Sequence, residues 1–86
     1  VKVGIDSSEN DFSRIQAIRK RVGDKVTLRL DANQGWDPKS AVRIINRMEA
    51  AGFNIELIEQ PVLAHDIEGL KFVTDRTLTP IMADES

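Results

Sequence analysis

Eighty-six residues allow one domain with one modest core, and the composition, 41% hydrophobic and 30% charged with a mean hydropathy of -0.29, is that of a globular chain. A net charge of -2 offers no electrostatic footprint for nucleic acid, and no apolar run approaches the roughly 20 residues of a membrane span. The absence of cysteine excludes disulfides and thiolate metal sites, and with no secretory pattern a cytoplasmic address is the expectation.

The run VKVGI (1–5) reads as a strand, with Val1, Val3 and Ile5 on one face and Lys2 on the other. A helix follows, with Ser8 as its N-cap, an apolar stripe of Phe12, Ile15, Ile18 and Val22, and Gly23 as its stop. The basic run Arg19, Lys20 and Arg21 falls near the end of that helix, where cations suit the dipole. KVTLRLDA alternates as a second strand, setting Val26, Leu28 and Leu30 opposite Thr27, Arg29 and Asp31. Asp37 and Pro38 open a second helix with the stripe Ala41, Ile44, Ile45 and Met48, which Gly52 ends. Trp36 is expected to pack its loop onto the rim of the sheet. NIELIEQ is a third strand, stopped by Pro61. Asp66 caps a shorter helix with Ile67, Leu70 and Val73 inward, and PIMADES supplies the fourth strand.

The order βαβαβαβ, with short links, predicts right-handed crossovers and a parallel sheet. In such sheets the C-terminal strand ends lie on one side, the side that carries chemistry. Lys2, Asp31, Glu59 and Asp84 follow one another at steps of 29, 28 and 25 residues, each where a strand gives way to a loop. Parallel strands lie about 4.8 Å apart, so carboxylates on neighbouring ends can meet at one point. Together they would repel, and a divalent cation resolves that conflict; three hard oxygen ligands suit Mg²⁺. Zinc fits poorly, since His65 is the sole histidine. Acids at strand ends also serve as ordinary caps and loop residues, and a lysine such as Lys2 is more often a solvated surface group. Glu56, Glu85 and His65 have no assigned chemistry.

The segments KVG, LRLDANQGW, ELIEQPV, DIEGLK and PIMADES, in this order, resemble the enolase superfamily, in particular its muconate-lactonizing subgroup and, within that, dipeptide epimerases of the L-Ala-D/L-Glu type. The resemblance implies a partial (β/α)₈-type barrel matching about the second to fifth strands. The N-terminal capping domain and the remaining strands are expected outside residues 1–86. It implies Mg²⁺ on Asp31, Glu59 and Asp84, with Lys2 as the second lysine of a Lys-x-Lys motif and a catalytic acid/base. The first lysine of that motif would precede Val1, and an opposing lysine would lie beyond Ser86. Asn33 is placed to orient a metal-bound water. The implied chemistry is that of an isomerase, abstraction of a proton α to a carboxylate through a metal-stabilised enediolate. Expected partners are a dipeptide or similar small carboxylate, the rest of the same barrel and further copies of the chain, with neither nucleic acid nor membrane. DANQGW and HDIEGLK favour the epimerase over the alternatives in the superfamily, muconate cycloisomerase and o-succinylbenzoate synthase. Readings of another class are a receiver-like domain, which would need a lysine on its last strand, and a non-catalytic α/β module. The 86 residues alone are expected to be marginally stable, prone to self-association and catalytically inert.

Overall fold

The computed structural model describes residues 8–32, 34–63 and 65–83. Three helix–strand steps follow in order: α1 (Ser8–Val22), β1 (Leu28–Asp31), α2 (Pro38–Ala50), β2 (Ile55–Glu59), α3 (Ile67–Arg76) and β3 (Ile81–Met82). The strands form one parallel sheet in the order β1-β2-β3. Successive right-handed crossovers stepping in one direction lay their helices on a single face, as the wall of a β/α barrel requires. The expected strand over residues 1–5 lies outside the described residues, as does the end of PIMADES beyond Ala83.

The second helix follows its sequence signals closely. Asp37 caps it by accepting from the Ser40 N–H at 2.8 Å, and Pro38 occupies the first turn, where a missing N–H costs nothing. Ala41, Ile44, Ile45 and Met48 are all buried against the sheet. Past its end Gly52 takes φ 72°, with Gly52 N–H donating to Glu49 O and Phe53 N–H to Met48 O, so the last carbonyls are satisfied. Gly23 ends α1 in the same way, at φ 81°.

The first helix departs from expectation. It begins at Ser8 itself, and its buried stripe is Asp11, Ile15 and Arg19, spaced four apart; Phe12 and Ile18 flank it and Val22 is exposed. Arg19 therefore does not sit in solvent near the helix dipole. Its Nε donates to Phe53 O at 2.8 Å, Nη1 to Gly23 O at 2.7 Å and Val26 O at 2.6 Å, and Nη2 to Asn54 O at 3.4 Å. Those carbonyls lie where the chain enters β1 and β2, and a planar fork of donors reaches them all. At the other end of the stripe, Asp11 accepts from Trp36 Nε1 at 3.1 Å.

In α3, Asp66 caps as expected, and Val73 is buried with Leu70 beside it, but Ile67 is 77% exposed. Each step of three falls about 60° short of a full helical turn, so Ile67 lies about 120° round from Val73. Gly69 faces inward instead, where a Cβ would meet the Asp66 carboxylate and approach Pro38 Cγ to 2.8 Å. Val26, expected on the buried face, precedes β1 and is exposed.

Leu30 and Ile58 are fully buried under the helices, within a core that also includes Trp36, Phe53 and Val62. The opposite face of the sheet carries Arg29, whose Nε lies 2.7 Å from Glu56 Oε1. The register shifts between Leu28↔Ile55 and Arg29↔Leu57, which makes Glu56 the extra residue of a bulge. That bulge lets Ile55 and Ile58, three apart, both contribute to the helix side.

Candidate metal centre

Asp31 and Glu59 are the last residues of β1 and β2, and they are partners in the strand register. Leu30 and Ile58, one residue earlier in each strand, point into the helix layer, so pleating directs both carboxylates to the other face. Both acids are partly buried. Neighbouring parallel strands put their Cα atoms about 4.8 Å apart, within the span of one ion's coordination sphere. On the far side of β2, Glu59 pairs in register with Met82, and Asp84 lies two residues further along the chain, outside the described residues. Lys2 and Asn33 are outside them as well. Among the described residues no group of three or more His, Cys, Asp or Glu side chains gathers around a metal position, so the structure brings together two of the three expected ligands. His65 is exposed in the turn before α3.

Backbone hydrogen bonds hold the two strand ends in place. The chain leaving β1 donates through three alternate N–H groups to three successive carbonyls leaving β2. Ala32 donates to Glu59 O at 2.8 Å, Gln34 to Gln60 O at 2.7 Å and Trp36 to Pro61 O at 3.1 Å. Both glutamines have left-handed backbones, Gln34 at φ 58° and Gln60 at φ 52°. Sequence reading gave neither. Left-handed positions favour Gly, Asn and Asp, and Gly35 would have been the natural choice in the first loop. Trp36 is buried with its N–H on Asp11, the packing role expected of it.

The donor set fits a hard divalent cation, with carboxylate oxygens on two adjoining strand ends and, among the described residues, no imidazole or thiolate grouped with them. Residues 1–86 match the enolase C-terminal domain-like family. The chain belongs to that family. Its curated relatives in the enolase group include the L-Ala-D/L-Glu epimerase of Bacillus subtilis, 65% identical over 86 residues, which are all of this chain and 24% of that relative. A chloromuconate cycloisomerase from Cupriavidus necator is more distant, 43% identical over the whole chain and 23% of its own length. In three dimensions the chain is similar to the substrate-liganded epimerase from Bacillus subtilis, with TM-score 0.95 and 64% identity over 98% of this chain and 24% of that one. It is also similar to a dipeptide epimerase from Enterococcus faecalis complexed with Mg and the dipeptide L-Leu-L-Tyr, with TM-score 0.88 and 50% identity over 98% of this chain and 23% of that one. The chain thus spans about a quarter of the length of the relatives it matches. No described helix is long and apolar enough to cross a membrane.

Proposed function

We propose that the intact protein is a Mg²⁺-dependent dipeptide epimerase of the L-Ala-D/L-Glu kind. The observation that carries this reading is the register pairing of Asp31 with Glu59 at adjoining strand ends, in a chain 65% identical to an enzyme of that activity. Asp31, Glu59 and Asp84 would hold the cation through carboxylate oxygens. When bound, the cation supplies electrostatic stabilisation for negative charge developing on a substrate carboxylate as the adjacent α proton leaves. Lys2 takes that proton at Nζ, for which it must be neutral, and so serves one stereochemical face. Epimerisation needs an acid on the opposite face. That group, the capping domain and the remaining barrel strands come from outside these 86 residues. The enzyme works in the cytoplasm, alone or with copies of itself, on a small molecule rather than on nucleic acid or membrane.

The test is a screen of the intact protein against L-Ala-D-Glu and other dipeptides, alongside muconate and the o-succinylbenzoate precursor. The expected result is epimerisation at the C-terminal residue of the dipeptide, abolished by chelator and restored by Mg²⁺. Turnover of muconate or the succinylbenzoate precursor alone would replace the epimerase with one of its superfamily alternatives. Full activity after thorough demetallation would remove the metal from the reading.

A further inference from the structure

Gln60 follows Glu59 directly, is buried, and takes φ 52° although it carries a side chain and precedes a proline. In a regular parallel strand a residue's N–H and C=O serve the same neighbour. At Gln60 they serve opposite ones. Its N–H donates across to Met82 O of β3 at 2.9 Å, whereas its carbonyl accepts from Gln34 in the loop leaving β1. The left-handed turn therefore brings the Gln60 carbonyl into line with those of Glu59 and Pro61, and all three accept from the chain that follows Asp31. Pro61 has no N–H to leave unpaired when the strand stops here. One residue in this way ties the exits of β1, β2 and β3 together, and both carboxylates of the centre emerge beside it.

We propose that Gln60 is a positioning residue for the metal centre: its left-handed backbone, and not its amide group, holds Glu59 in register with Asp31. The inference rests on the metal-centre reading of those two acids. Glycine and asparagine adopt φ > 0 readily, alanine less so and a β-branched residue least. Backbone control thus predicts an order of variants that a side-chain role does not.

The experiment is a titration of the metal-free intact protein with Mn²⁺, followed by electron paramagnetic resonance. Wild type is compared with Gln60→Gly, Gln60→Asn, Gln60→Ala and Gln60→Val, each first checked by thermal melting to be folded at the working temperature. Gly and Asn are expected to bind within about threefold of wild type. Ala should be weaker, and Val weaker by about tenfold or more. Wild-type affinity in Gln60→Val, or in Gln60→Ala should the valine variant not fold, would overturn the proposal. So would a loss in Gln60→Gly as large as that in Gln60→Ala, which would assign the role to the amide. Asp31→Asn and Glu59→Gln run beside them. If these bind Mn²⁺ as wild type does, the metal-centre reading fails and the positioning role with it. If they lose binding while Gln60→Val keeps it, the positioning role alone is lost.

Discussion

The two ends of the sheet are held by different means. Where β1 and β2 begin, one buried guanidinium, that of Arg19, gathers four main-chain carbonyls. Where they finish, the main chain does the joining, through the three carbonyls of residues 59–61 and two left-handed glutamines. The difference divides the labour of the fold. At the entry end a charged side chain is consumed by structure, its donors turned inward onto the loops. At the exit end backbone groups make the joint, and the acidic side chains of Asp31 and Glu59 are carried on the face opposite the core. A barrel that keeps its chemistry at the strand exits needs this asymmetry, since stability and function then draw on separate groups.

The largest effect expected from that division is at the exit end. Asp31→Asn or Glu59→Gln in the intact protein should lower the proposed epimerase activity by about 10³-fold or more, the several kcal/mol that a correctly held cation would contribute. The unfolding midpoint should move little, because the backbone joint stays. Assay and denaturation of the same preparations check this together. A variant that unfolds instead would show the acids to be part of the scaffold, and the division would be wrong.

The entry end should respond in the opposite sense. Arg19→Ala leaves four carbonyls without their charged donor, and about 3–5 kcal/mol of stability should go with it, read from the urea midpoint at unchanged slope. Below its melting transition, that variant should bind Mn²⁺ as wild type does. Arg19→Lys should recover only part of the loss, because an ammonium cannot reproduce the planar fork. A specific fall in cation affinity in folded Arg19→Ala would mean that register errors at the entry travel the length of the strands.

How much of this could be read in the sequence depended on whether local and tertiary signals agreed. For α2 they did: Asp37, Pro38, the four-residue stripe and Gly52 each have one physical reading, and the structure follows it. For α1 they conflicted, because the buried face includes Asp11 and Arg19, and an apolar-stripe rule passes over charged side chains whose partners include groups 25 to 35 residues away. Ile67 failed for a simpler reason, a step of three taken twice. The strand-end rule did locate Asp31 and Glu59 side by side, since it needs only the strand order and the pleat. Gln60 was out of its reach. Nothing in a glutamine before a proline announces a left-handed backbone, and the bonds that sustain it come from β3 and from the loop that leaves β1.

The smallest effect concerns Asp37, which stands on the exit rim yet uses its carboxylate structurally. Its oxygens accept from the Ser40 N–H at 2.8 Å and the Ser40 hydroxyl at 2.9 Å. Those bonds, the backbone one foremost, favour the ionised form and hold its pKa below the ordinary aspartate value. A depressed folded pKa stabilises the protein above the unfolded value, and that contribution fades as pH falls through the folded one. Asp37 should therefore support α2 at neutral pH and cease to do so in acid below its ordinary range near pH 4. Because the group is exposed, solvent screening limits the gain, and Asp37→Ala should cost about 1 kcal/mol at pH 7. Melting the variant and wild type from pH 7 down to pH 3 should show the two curves converging. Asp37→Asn keeps a capping oxygen without the charge, so it should fall between wild type and Asp37→Ala at pH 7 and lack this group's acid dependence. A cost in Asp37→Ala that persists undiminished at pH 3 would show that packing of the cap, not its charge, supports the helix. Loss of Mn²⁺ binding in Asp37→Ala would do more, because it would place a structural acid inside the metal centre and blur the line between the two kinds of carboxylate on this rim.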